Sequence, residues 1–380
     1  MTAPSIATIP FFSPELFEDD REVLLETVRA IGTGPEQKFI LGERTARLER
    51  ELAGRTGARD VVACSSGTSA LTLILAAMGV GPGDEVIVPA FGCAPMAATV
   101  IDAGARPVFA DIDPVRLTVD PAAAETLVTP RTKALLAAHM FSVMADMPAF
   151  RALADRHGLR LIEDSALAQG GTLQGRPAGR WGDAGLYSFV QVKTFGMPGE
   201  GGVVVTDDAA LAAEVRMLRN HGQDGVHRFV HHRIGHNSRF DEVMAAFQLH
   251  RLPGLDARLA RRAEISAYYS RRLAGRGLAA PPEGGDGRFH YVYTVLTERR
   301  DALRSHLAEH GVAAHVYYPR PLPAQPAFAP HARPGASWPN AADAARRNIS
   351  LPLYPNLTDA QVEHVADTVC AFTDTSRDQG

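Results

Sequence analysis

Cysteine is scarce in this chain: Cys64, Cys93 and Cys370 are three in 380 residues, widely spaced and odd in number. That excludes a disulfide framework and a zinc-type ligand spacing, and it fits a reducing cytoplasm. A dominant charge is lacking too. The net formal charge is only -4, so no bulk field directs the chain to nucleic acid or to a membrane surface. No apolar run approaches the ~20 residues that cross a bilayer. The start, Met1-Thr2-Ala3-Pro4-Ser5, has neither the basic segment nor the continuous apolar segment of a secretory leader. No internal repeat is present. The expectation is a soluble, cytoplasmic protein without nucleic-acid or membrane partners.

What is present is enough apolar residue, 46% of the chain, to build a large domain and a smaller second one. Short apolar runs at 61–63, 85–89, 106–110, 134–139, 160–163, 186–190 and 203–206 read as buried strands, with helical patterns such as 69–78 and 147–157 between them. Such alternation predicts an α/β fold, a mostly parallel sheet sandwiched by helices. A charged helix over 241–272 leaves the sheet, bent at Pro253-Gly254. A strand at 291–296, a helix at 299–310, a strand at 314–318 and a helix at 358–372 then predict a small α+β domain. The expected division is a large domain over 1–252, with an N-terminal arm over 1–35, and a small C-terminal domain over 253–380. The proline-rich stretches 319–323 and 330–340 read as loops, and the tail 373–380 as disordered.

In an open parallel sheet, ligands bind beyond the carboxyl ends of the strands, and three groups of residues stand there. In Tyr187-Ser188-Phe189-Val190-Gln191-Val192-Lys193 a single lysine follows a strand and precedes the glycine-rich Met197-Pro198-Gly199-Glu200-Gly201-Gly202. Partial burial lowers a lysine pKa, and the neutral amine can then attack a carbonyl to form an imine. The alternative is a surface lysine at a strand end. Cys64-Ser65-Ser66-Gly67-Thr68-Ser69 suits a helix start that holds a phosphate, or simply a helix cap. Asp164, in Glu163-Asp164-Ser165, could keep a pyridine nitrogen protonated, or cap the next helix.

Together and in this order, these motifs resemble the DegT/StrS-type family of pyridoxal phosphate-dependent aminotransferases, which act on keto-sugars and ketocyclitols. Further marks are Phe39-Ile40-Leu41-Gly42, Pro107-Val108-Phe109-Ala110-Asp111, Arg219-Asn220-His221-Gly222, Gly235-His236-Asn237-Ser238-Arg239 and Ser350-Leu351-Pro352-Leu353-Tyr354-Pro355, so the resemblance runs from about Phe39 to about Val369. It implies the fold type I architecture and pyridoxal 5'-phosphate as cofactor. It also implies that Lys193 forms the imine and later carries the proton, while Asp164 pairs with the pyridine nitrogen. Gly67, Thr68, Ser69 and Ser188 are implied to hold the phosphate. Asn237 is implied to reach the phosphate of the neighbouring subunit in a homodimer with shared sites. Arg239, His315, Tyr317 and Tyr318 are the substrate-side residues that the resemblance suggests.

Three departures stand out against the family pattern. Cys93 occupies the place of the aromatic residue that stacks on the cofactor, so stacking is either lost or supplied by another residue such as Phe91. Leu167 replaces a Gln or His beside the phenolic oxygen, with Gln169 two residues on as the cofactor-side candidate. Ser142 and Val143 stand where sugar aminotransferases often have Gly and Gln, which points to an altered acceptor pocket. A helical metal site of His227, His231, His232 and His236 is weighed and not adopted; this loop more plausibly frames an anionic substrate. The arginines of 258–272 read as a solvated, ion-paired helix face. The expected activity is transfer of an amino group from an L-amino acid, glutamate or glutamine, to a keto-sugar or ketocyclitol. Elimination or aromatisation by the same cofactor chemistry, and a silent regulatory role, are the alternatives.

Overall fold

A computed structural model describes residues 8–13, 20–280 and 286–377, the last three by backbone alone. Seven strands form the central sheet: β1 (Asp60–Cys64), β2 (Glu85–Pro89), β3 (Arg106–Ala110), β4 (Thr132–Ala138), β5 (Arg160–Asp164), β6 (Ala184–Ser188) and β7 (Gly202–Thr206). Their order across the sheet is β1-β7-β6-β5-β4-β2-β3. Only β7 is antiparallel to its neighbours, β1 and β6; the other pairs are parallel. Every residue of β2, β6 and β7 is buried, as a sheet covered on both faces requires.

The period of two in the strands sorts their side chains between two helix layers. Val62, Val86, Val88 and Leu136 pack with α3 (Gly67–Ala77), α4 (Pro95–Asp102) and α7 (Ala209–Leu218). Their sequence neighbours face the other way. Val61, Ala63 and Val203 meet α2 (Glu43–Thr56) and α8 (Glu242–Arg251), while Ile87, Leu135 and Ala137 meet α6 (Met147–His157). Two further helices of this part are α1 (Arg21–Gly32) and the short α5 (Pro121–Glu125).

Pro253 lies in a 3-10 turn, Leu252–Gly254, that bends the chain from α8 into α9 (Leu255–Leu273). Beyond it, β8 (Tyr293–Leu296) pairs antiparallel with β9 (Asn348–Leu351), covered by α9, α10 (Arg300–Glu309) and α12 (Asp359–Arg377) around Ile265, Tyr269, Val295, Leu303, Ile349 and Val365. Ile9 joins this core through a parallel bridge to Val312.

Three local expectations need correction. Residues 314–318 contribute one bridge, His315 to Ser350 on the edge of β9 away from β8, rather than a strand, and the run ends in Pro319, which has no amide to extend the pairing. The stretch 330–340 holds a 3-10 turn and, from Pro339, the start of α11 (Pro339–Arg347), whose first turn tolerates proline because that amide has no helical partner. The tail continues α12 as far as Arg377, with no Gly or Pro to stop it. Residues 378–380, and the parts of the expected N-terminal arm at 1–7 and 14–19, lie outside the described residues. Among the described residues no helix is long and apolar enough to cross a membrane.

Candidate active site

The carboxyl ends of the parallel strands border a cavity of about 220 Å³. α3 begins at its edge because Ser66 caps it, the Ser66 Oγ accepting from the Ser69 amide at 3.0 Å. Gly67 and Thr68 line the cavity, and their amides, the first of the helix, have no intrahelical acceptors, so this end favours an anion. Close approach requires glycine here. A Cβ on Gly67 would fall 2.9 Å from the Ser188 Cβ, and one on Gly202 would fall 2.7 Å from the Ser66 backbone. Ser188, at the end of β6, lines the same cavity. Ser69 does not line it; its amide is taken by Ser66 and its hydroxyl lies 2.9 Å from that of Ser65.

Lys193 stands on a turn after β6, held by its own amide donating to Val190 O and by the Gly196 amide donating to Lys193 O. Its Nζ lies 5.1 Å from the centre of the Tyr291 ring. Burial lowers its pKa below the ordinary lysine value, although Cys93, Asp164 and Glu200 pull the other way. The neutral amine is therefore more accessible than on an exposed lysine. Asp164 ends β5 and also lines the cavity. It accepts one hydrogen bond from the Ala166 amide at 3.0 Å, and no helix starts after it, so it is not a helix cap. Burial raises its pKa, while the Ala166 amide, Lys193 and His139 restrain the rise.

Beside Asp164 is an arrangement that sequence reasoning did not identify. His139 Nδ1 accepts from the Ala145 amide at 3.1 Å, which leaves Nε2 as the protonated nitrogen that donates to Glu163 Oε1 at 2.8 Å. Glu163 is fully buried and also accepts from the amides of Gly179, Trp181 and Gly182. His139 is thus held at both ring nitrogens in the cavity wall. Its place just after β4 was the available signal.

These groups match the requirements of pyridoxal phosphate. A helix start whose first amides have no intrahelical acceptor, with a close-approach glycine, suits its phosphate, a lysine of lowered pKa suits its aldehyde, and a buried carboxylate with one backbone donor suits its ring nitrogen. The DegT/DnrJ/EryC1/StrS aminotransferase family matches residues 19–370. The chain belongs to this family.

Among its relatives, UDP-N-acetyl-3-dehydro-alpha-D-glucosamine 3-aminotransferase of Acidithiobacillus ferrooxidans is 41% identical over 87% of this chain and 89% of its own length. The dTDP-3-amino-3,4,6-trideoxy-alpha-D-glucose transaminase of Streptomyces venezuelae is likewise 41% identical, over 87% and 88%. The crystal structure of S. venezuelae DesV in complex with a ketimine intermediate superposes with a TM-score of 0.91 at 38% identity, covering 97% of this chain and 99% of DesV. This member of the DegT/DnrJ/EryC1/StrS family is accordingly an aminotransferase with the fold of pyridoxal phosphate-dependent enzymes.

Several residues singled out from sequence lie elsewhere in this aminotransferase. Cys93 and Leu167 line the cavity, as does Tyr318. Phe91 does not; it is fully buried, stacked on Phe141 at 5.4 Å, and so cannot replace the missing aromatic. Gln169 is buried away from the cavity lining, its Oε1 without a hydrogen bond. His315 and Tyr317 pack against Phe11 instead of lining the cavity, with His315 stacked on it at 4.2 Å. Ser142 has the left-handed φ of 66° that suits glycine, and it exchanges hydrogen bonds with the Val292 backbone, so its hydroxyl serves the core rather than an acceptor pocket.

Asn237 is exposed and absent from its own cavity, its Oδ1 held by Arg239 Nε at 3.1 Å. The segment before it is irregular, without the helical histidine spacing: His227 and His232 meet on Asp224, while His231 donates to His221 O. The arginines of α9 divide. Arg261 and Arg272 form exposed ion pairs with Asp359 and Asp367, whereas Arg262 is buried and Arg258 half-buried, contrary to a solvated face.

Proposed function

We propose that this chain transfers an amino group from an L-amino acid, glutamate or glutamine, to the ketone of a sugar or cyclitol intermediate, with pyridoxal phosphate as cofactor. The observation that carries the reading is that Lys193, Asp164, Ser188 and the start of α3 line one cavity. When bound, pyridoxal phosphate supplies an electron sink that makes the carbon bearing the nitrogen acidic. Gly67, Thr68 and Ser188 hold its phosphate. Asp164, kept ionised by a positive partner, holds a proton on the ring nitrogen. Lys193 provides the amine for the covalent link and, once released from it, takes and returns the proton at Nζ, a role suited to its lowered pKa. His139, held at Nε2 by Glu163 and at Nδ1 by the Ala145 amide, forms a fixed wall beside Asp164.

Leu167 and Cys93 provide less than the usual polar and aromatic contacts, so the phosphate end carries more of the hold on the cofactor. The working unit is a homodimer in which Asn237 reaches the partner's phosphate site, which agrees with its exposure and with its distance from its own cavity lining. The three cysteines are free thiols, in keeping with work in the cytoplasm.

The test is a half-reaction. With pyridoxal phosphate bound and no acceptor present, L-glutamate or L-glutamine should convert the cofactor to its amine form, with one oxo acid released per site. A panel of keto-sugars and ketocyclitols should then restore the starting absorbance. No conversion by any amino acid, with the cofactor bound and the protein folded, would overturn transamination in favour of elimination.

A further inference from the structure

Behind the turn that carries Lys193 is a second cavity of about 300 Å³, at the small end of the roughly 300–1,000 Å³ usual for ligand pockets. Lys193 lines both cavities. Its wall includes Arg251, Arg258 and Arg262, with Ser13, Tyr354 and Asn356, and among the described residues no Asp or Glu.

Asp20 answers Arg251 at 3.5 Å. Arg258 and Arg262 have no carboxylate partner among the described residues. Arg258 donates to Arg251 O, and Arg262 donates to Leu353 O and Tyr291 O, bonds that orient the guanidinium groups without neutralising them. The Nε of each has no hydrogen-bond acceptor. Arg262 is only 7% exposed, so a hydrated counterion in bulk water does not compensate it cheaply. Burial pushes both residues down to about 10; for Arg258 the charge of Arg251 adds to it and that of Asp20 opposes it, and for Arg262 Tyr291 opposes it and Arg258 adds to it.

Two guanidinium groups without a directly paired carboxylate among the described residues, facing a small cavity, define the charge of what fits there. We infer that the cavity is a binding site for a small dianion, a short dicarboxylate or a phosphate, seated against the turn that positions Lys193. Guanidinium forks suit either oxyanion.

Calorimetric titration of the full chain with pyridoxal phosphate bound tests this, using glutarate, inorganic phosphate and the monoanion acetate. The cofactor fills the other phosphate site, and glutarate has no amino group to react. Expected is saturable binding of glutarate or phosphate, one per chain, at least tenfold tighter than acetate, the tighter of the two identifying the source. Arg258→Gln should weaken it at least tenfold, and Arg258→Lys by much less. Ser13→Glu, which brings a carboxylate to the cavity wall without disturbing the helices, should cause the same loss should Arg258→Gln not fold. Absence of saturable dianion binding, acetate binding as well as the dianions, or binding indifferent to Arg258→Gln or Ser13→Glu would overturn the site.

Discussion

Gly67 and Ser188 meet so closely that a Cβ on Gly67 would lie 2.9 Å from the Ser188 Cβ. The start of α3 is thereby pressed against the end of β6, and the first amides of the helix share a wall with the Ser188 hydroxyl. Gly67→Ala should overpack this contact and cost about 1–3 kcal/mol of stability in denaturant unfolding. Cofactor retention should fall as well. Removing the opposing Cβ in Gly67→Ala/Ser188→Gly should recover part of the stability and none of the retention. Full stability of Gly67→Ala alone would show that the contact is looser than it is described here.

Asp164 links cofactor holding to pH. Its folded-state pKa is raised by burial, so between the unfolded value, about 3.9, and the raised folded value the native state binds more protons than the unfolded one. Stability of the cofactor-free protein therefore falls as pH rises through that window, and the penalty is fully present above it. Asp164→Asn should be more stable than wild type at pH 7 without cofactor, with the gain vanishing in acid. It should also hold pyridoxal phosphate roughly tenfold or more less tightly, the worth of one charge-assisted hydrogen bond. Chemical denaturation across pH, beside cofactor titration, checks both signs.

Cys93 lies in the cavity with a thiol that burial and the Asp164 charge keep above its ordinary pKa. It remains a small neutral group where a ring would stack. A stacking aromatic contributes about 0.5–1.5 kcal/mol beyond its area, so Cys93→Tyr should slow loss of the amine form of the cofactor by a few-fold in dialysis against an amino donor. Equal retention in two folded proteins would mean that another side chain already covers the ring.

Asn237 offers a test of site sharing. Lys193→Ala and Asn237→Ala should each be inactive, yet after subunit exchange a mixture should regain up to a quarter or so of wild-type activity, because half of the sites in a mixed dimer keep both residues. Mixed dimers that form and stay inactive would exclude the cross-subunit contact.

Much of the fold was legible because its signals are local. Short apolar runs of five to seven residues, separated by helical periods, define strands wherever they pack, and a lysine, an aspartate and a Ser-Gly-Thr helix start at their carboxyl ends mark the candidate site. The β9 strand and α11 were not legible in the same way. Their pattern is short, and β9 becomes a strand by pairing with β8.

Sequence alone determined the parallel-sheet class and the order of the site motifs, and it pointed to Lys193 as the candidate amine, since each rests on the pattern along the chain. Tertiary structure decided what spacing does not encode. Phe91 and Cys93 are two residues apart, yet one enters the core and the other the cavity, as the backbone turns at Gly92, whose φ is 153°. Gln169 and Leu167 divide the same way. Glu163 locks His139 only because adjacent parallel strands bring their ends together across 24 residues of chain. Arg258 and Arg262 read as a solvated helix face until the fold brings Arg251 O to the one and Tyr291 O and Leu353 O to the other. Burial is set by what lies opposite in space, and that is a property of the packed chain rather than of any segment.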